Sequence, residues 1–271
     1  RASTTLEWVA ENRLQATGRI IGNEVAITNV RNFDWIDKRT FEEKWEARQY
    51  DIETLQAIDV FVSSWGNPRI AHIMVSFDFA GGPPLCVSVE TRREAGERWS
   101  ALAGFMKSYE LIIIAGDERD LVRSRVNVRG EDVRLYRIYT TPEMRRKILA
   151  GTIAQMNRLS ARPRFYNTIF HNCTIEIARI VWAAGHRFPF DWRLLVSGYV
   201  AEYLYDVGLL DRTLPFAGLK TSADITQRSR TADRAPDYSQ RIRAGLRDPT
   251  RDIAVTASPV SPARPQVGAR P

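Results

Sequence analysis

The sequence predicts an α+β fold, an antiparallel sheet packed against helices, on three observations. Segments 70–79 and 85–90 alternate polar and apolar residues with period two, either side of a Gly-Pro turn. Segments opening at Thr141 and Cys173 repeat apolar residues at helical spacing. The chain has 271 residues, 44% of them hydrophobic, enough for one sizeable core and hardly for two.

Taken in order, residues 1–18 read as a lead-in segment. Residues 19–30 alternate and turn at Gly22-Asn23, a hairpin signal. Residues 31–57 are polar and aromatic and read as a long decorated loop. A strand at Asp59–Ser63 is closed by the breaker run Trp65-Gly66-Asn67-Pro68. In 70–79, His72, Met74, Ser76 and Asp78 share one face; in 85–90, Cys86, Ser88 and Glu90 share one. With Phe79 opposite Leu85, both polar sets share a face, and Glu90 lies diagonal to His72. A helix is expected around Ser100–Lys107, then strands at Leu111–Ile114, Arg123–Val128 and Val133–Ile138. Thr141-Pro142-Glu143 opens a helix that runs to about Arg162-Pro163, with proline at the first helical position. Another begins at Cys173, and a third at Asp191-Trp192 that reaches about Leu210. Residues 19–220 form the domain. Residues 221–271 hold six of the thirteen prolines and few large apolar residues, and read as a disordered tail.

Composition excludes several functions. The net charge is +7, but +4 of it lies in the tail, and the arginines show no basic helix face with interleaved aromatics, so no nucleic acid is expected. Nothing approaches a membrane-spanning apolar run of about 20 residues. The sequence starts at Arg1 and not Met, so a removed leader or anchor is expected upstream. Two cysteines are too few for a disulfide scaffold, and no Cys-x-x-Cys or His-x-x-x-His spacing suggests a metal. No cofactor or metal is expected.

The chemistry concentrates at Asn172-Cys173-Thr174. Asn172 is a good cap, so Cys173 falls in the first turn of a helix. There the helix dipole and free backbone N–H groups favour a thiolate and can hold an oxyanion. A thiolate nucleophile needs an imidazole to carry the proton and a third group to orient that imidazole. His72, on the polar stripe of a strand, is the candidate base. Glu90 is the first candidate orienter and Asp78 the second. Competing readings stand beside this one. By position alone a cysteine like Cys173 is more often a small core residue, a strand histidine like His72 more often a satisfied structural one, and Glu90 could be a solvated strand end. Cys86 reads as inert packing. His171 is a rival base by proximity, and His186 follows Gly185 as a structural residue at a helix end. Phe33, Trp35, Trp45 and Tyr50 read as a cover for the core.

Several runs together resemble the Lnb N-terminal periplasmic domain family. They are Asn32-Phe33-Asp34-Trp35, Ser63 to Pro68, Ala71 to Phe77, Ser88 to Glu94, and Tyr109-Glu110-Leu111. Gly116 to Asp120, Asn127 to Glu131, and Phe165 through Thr174 continue the series. The resemblance covers about residues 27–185. That family is itself similar to circularly permuted papain-like thiol enzymes of the NlpC type, in which the strand histidine precedes the helix cysteine. The positions matching its cysteine and histidine are Cys173 and His72, and Glu90 matches a recurrent acidic position. His171 stands where the family carries a small polar residue, often Asn. The resemblance implies a thiol domain on the periplasmic side of the bacterial inner membrane, tethered through a segment outside this chain. It also implies acyl transfer through a thioester, with a lipoprotein or lipid as substrate. The alternatives are a thiol amidase or peptidase acting on cell-wall peptide, and a non-catalytic envelope binding module.

Overall fold

The computed structural model describes residues 8–92, 110–165, 173–185 and 188–246, with an eight-stranded sheet through their centre. Strands β1 (Thr17–Ile21) and β2 (Glu24–Arg31) form the expected hairpin. Gly22 makes its turn at φ +58°, a left-handed value that an L side chain resists. β3 (Asp34–Trp35) and β4 (Phe41–Glu42) form a small ribbon, and β5 (Trp45–Asp51) pairs with β2. Residues 31–57, expected as a loop, therefore hold three strands and the start of a fourth. The reason is exposure: among the residues of β5 only Tyr50 is buried, so its sequence carries no apolar stripe.

β6 (Leu55–Ser64), β7 (Ala71–Phe79), β8 (Leu85–Arg92), β9 (Glu110–Gly116) and β10 (Asp132–Arg137) complete the sheet. The order is β1-β2-β9-β8-β7-β6-β10. Every pair is antiparallel except β2 with β9, which meet at Arg31 and Gly116. The molecule is thus a mixed, mostly antiparallel sheet with helices on both faces, compatible with the α+β class. Ile73, Val75, Phe77, Val87 and Ile113 face one core; Phe61, Met74, Cys86, Ile112 and Ile114 face the other. This is the period-two alternation of β7 and β8 converted into two buried layers.

Helix α1 (Glu118–Arg123) continues into a π-helical turn at Ser124–Val128. A strand was expected at Arg123–Val128; the chain instead coils there. Asp117 caps the helix by accepting from the Arg119 N–H at 2.9 Å, and Val122 and Val126, one turn apart, are both buried. Burial on one helical face here outweighs the strand preference of the β-branched residues. α2 (Pro142–Ala161) starts as predicted, with the Thr141 hydroxyl accepting from the Met144 N–H at 3.2 Å.

α3 (Cys173–Ala183) follows. The helix expected from Asp191 to about Leu210 is broken into 3₁₀ turns at Trp192–Leu194 and Ser197–Tyr199, then α4 (Val200–Asp206). Gly198 interrupts it: its N–H bonds the Arg69 carbonyl at 3.0 Å, and a Cβ there would lie 2.1 Å from the Pro68 oxygen.

Residues 221–246, expected as disordered tail, are folded. α5 (Phe216–Ser222) packs Phe216 and Leu219 on the first core, while α6 (Thr226–Ala232) and α7 (Tyr238–Ile242) cover the second. Ile225, Tyr238 and Ile242 are fully buried there. Arg243 reaches in to Glu118 at 2.6 Å and Asp59 at 2.8 Å. A few deeply buried side chains anchor a stretch whose average composition is polar. Residues 247–271 lie outside the described residues, as does the helix expected at Ser100–Lys107. No helix among the described residues is long and apolar enough to cross a membrane.

Candidate active site

β7 carries His72 as its second residue, on the face shared by Met74 and Ser76. β8 brings Ser88 and Glu90 to the same face. The register differs from expectation by two residues: Phe77, not Phe79, lies opposite Leu85, and Met74 lies opposite Ser88. An even slip keeps every side chain on its face. It moves Glu90 from diagonal to His72 to directly across from it. The cause is at the other end of β7, where Asp78 and Phe79 pair only with β6, so the turn into β8 is longer than the Gly-Pro run suggests.

The result is a tight polar cluster. His72 Nε2 lies 2.6 Å from Ser88 Oγ and 3.1 Å from Glu90 Oε1. The Ser88 hydroxyl donates to Glu90 Oε1 at 2.6 Å. With its hydrogen so committed, Ser88 accepts from His72, which places a proton on Nε2 and leaves Nδ1 for another partner. Cys173, the first residue of α3, is near enough for the His72 ring to lower its thiol. The Ile73 backbone N–H lowers that thiol as well, and the Thr174 hydroxyl lies 3.9 Å from the sulfur. Ile73 lies just beyond the last paired residues of β7 and β8. The start of α3 therefore meets the sheet where β8 stops pairing with β7.

The electrostatics favour charge on both partners. Burial pushes the Cys173 thiol up, but the hydrogen bond and charge of His72, with the Ile73 N–H, bring it below the ordinary thiol value. Burial and the Arg125 charge push His72 down, yet Glu90 and the bond to Cys173 outweigh them, and the imidazole stands above its ordinary value. Burial opposes ionisation of Glu90 as well, but His72, Arg125 and Ser88 hold it well below the usual carboxylate range.

Arg125 and Glu131 extend the cluster behind Glu90. Arg125 donates to Glu90 at 3.0 Å and to Glu131 at 3.0 Å, and the Ser63 hydroxyl bonds Glu131 in turn. The π-helical turn aims Arg125 at the sheet. Sequence reading missed Ser88, Arg125 and Glu131. Ser88 had a signal, since it shares the stripe of Glu90; Arg125 had none, because its segment reads as a strand.

The other candidates lie elsewhere. Asp78 is six residues along β7, about 20 Å away at strand rise, and binds Arg137 at 2.9 Å. It does not orient His72. Cys86 is fully buried, and burial with the nearby Glu118 carboxylate raises its thiol well above the ordinary value. His171 and His186 lie outside the described residues. Phe33 packs against Trp45 with ring centroids 5.2 Å apart, and Trp35 donates to Asp120 at 2.7 Å, above the buried Arg31–Asp120 pair. Tyr50 stacks separately on Phe79. Among the described residues, no three His, Cys, Asp or Glu side chains are grouped to hold a metal.

Beside the sulfur lies an apolar cavity of about 270 Å³ between the sheet and helices α2 to α4. Thr174, whose hydroxyl lies 3.9 Å from the sulfur, lines this cavity with Ile73, Val89, Ile177, Phe188 and Leu194.

Comparison with known proteins adds the family. The sequence model of the Lnb N-terminal periplasmic domain matches residues 41–198, more than half of the chain. No curated protein and no solved structure matches. The match contains β6 to β10, His72, Glu90 and Cys173, and so takes in the whole polar cluster together with the helix start that faces it. The chain belongs to the Lnb N-terminal periplasmic domain family, and with it to the proteins of the bacterial periplasm.

Proposed function

We propose that this protein is a cysteine-dependent acyltransferase on a permuted papain-like scaffold, taking acyl groups from a lipid and passing them to a lipoprotein amine. One observation carries the reading: Cys173, whose thiol His72 lowers, opens a helix whose next residue, Thr174, lines an apolar cavity. A thiolate supplies the nucleophile, and a dry hydrocarbon-lined cavity is the complement of an acyl chain.

In the first half-reaction the Cys173 thiolate attacks the acyl carbonyl carbon. A C–S bond forms, and the carbonyl π electrons move onto oxygen. Collapse expels the alcohol, which takes its proton from the His72 imidazolium, and leaves a thioester. In the second half-reaction the incoming amine attacks the thioester carbonyl, His72 accepts the amine proton, and the C–S bond breaks to restore the thiolate. Glu90 and Ser88 keep the ring in the tautomer this requires. The apolar walls around the thioester favour the amine over water. An amidase acting on cell-wall peptide would share the thiol chemistry but leave the hydrocarbon cavity without a role.

Mass spectrometry after incubation with diacyl phospholipid tests this. The expected result is one acyl chain's mass on Cys173, removed by hydroxylamine and absent from Cys173→Ala. Cleavage of muropeptides with no acyl adduct would reject acyl transfer in favour of the amidase.

A further inference from the structure

Five large apolar side chains stand out at the end of the sheet that bears His72. Trp65 and Ile70 lie on the loop before β7; Phe190, Trp192 and Leu195 lie between α3 and α4. Each is between 40% and 62% exposed. The two groups are held together. The Gly198 N–H bonds the Arg69 carbonyl at 3.0 Å, and the Ala71 N–H bonds the Ser197 hydroxyl at 2.9 Å. Trp192 packs edge-on to Tyr199 with centroids 5.2 Å apart.

From this surface we infer that the rim formed by 65–70 and 190–195 docks on a lipid bilayer and delivers acyl chains to the thiol. The choice of lipid as occupant rests on the acyl-transfer reading; three further features of the surface support it. The side chains stand exposed on two neighbouring loop segments, the form that inserts into a headgroup layer. Two of the five are tryptophans, whose amphipathic rings partition to the membrane interface. Arg69, exposed beside Ile70, has no carboxylate partner among the described residues and is free to meet an anionic headgroup.

Continuity with the cavity gives the rim its purpose. The segment that exposes Phe190, Trp192 and Leu195 turns Phe188, Leu194 and Val200 inward as cavity wall. An acyl chain lifted at the rim needs to pass only this wall to reach Cys173.

Flotation with vesicles of phosphatidylethanolamine and phosphatidylglycerol tests the surface without requiring turnover. The wild type and Cys173→Ala should float equally. The pair Trp65→Ser and Trp192→Ser should lower the bound fraction's partition coefficient by about tenfold or more while circular dichroism stays unchanged. Vesicles lacking phosphatidylglycerol should bind the wild type more weakly. Equal flotation of wild type and double variant, or no flotation of either, would overturn the inference. So would light scattering that shows a lipid-free dimer which the double variant dissolves, because a second copy would then cover the rim. Alkylation of Cys173 on the same samples separates the two proposals: a fast-reacting thiol without flotation rejects the rim alone.

Discussion

Glu90→Gln removes one charge from the centre of the cluster with little change of shape. At 3.1 Å from His72 Nε2, the carboxylate is worth about 5 kcal/mol to the imidazolium at an effective dielectric of about 20. Two features reduce that figure. Glu90 is 28% exposed, so water screens it, and Arg125 at 3.0 Å already takes part of its field. A net loss of about 1–2 kcal/mol remains, about a tenfold fall in the thiolate–imidazolium form at neutral pH. The sign follows from the directions of the shifts. Glu90 is a main cause of the raised His72, and His72 is a main cause of the lowered Cys173. Neutralising Glu90 therefore moves His72 down and Cys173 up, with Arg125 now facing the ring less opposed. The assay is the rate of iodoacetamide alkylation of Cys173 from pH 5 to 9, with Cys86 as the internal slow control. The variant should label about tenfold more slowly at pH 7 and approach the wild type only in alkali. A variant that labels at the wild-type rate with an unmoved pH profile would refute the role given to Glu90.

Three further outcomes follow from the packing. Arg243→Met leaves the fully buried Glu118 carboxylate without its guanidinium and Asp59 with Arg137 alone, and should cost about 3–5 kcal/mol in urea unfolding; a loss under about 1 kcal/mol would mean that residues 221–246 are not docked. Gly198→Ala places a Cβ 2.1 Å from the Pro68 carbonyl oxygen and should cost about 1–3 kcal/mol by thermal melting, with increased proteolysis at 65–70 as the local readout. Asp59 is held below the ordinary carboxylate value, burial being outweighed by Arg243 and Arg137. Its contribution is therefore complete above the unfolded value near 3.8 and fades as pH falls through the lower folded value. Unfolding free energy should decline on acidification below about pH 4, and a profile that rises there would contradict this pairing.

The legibility of the site divides along physical lines. Period-two alternation in 70–79 and 85–90 assigned His72, Ser88 and Glu90 to one face, because strand geometry is local. The Thr141-Pro142 start of α2 and the helix beginning at Cys173 were legible for the same reason, since capping and helical spacing involve neighbours in the chain. These signals, together with the family resemblance, determined that a thiol at a helix start and an imidazole on a strand are the residues to examine.

Only the tertiary structure decided the rest. Alternation fixes a face but leaves register free by even steps, so pairing of Asp78 and Phe79 with β6 moved Glu90 across from His72. Arg125 enters the cluster through a π-helical turn whose β-branched residues imitate a strand, and β5 forms with only Tyr50 buried. The last helices hold on through Ile225, Tyr238, Ile242 and Arg243, too few side chains to register in composition. Each case has one cause: a pattern along the chain reports what neighbours can do, whereas burial and charge pairing depend on residues brought together from far apart.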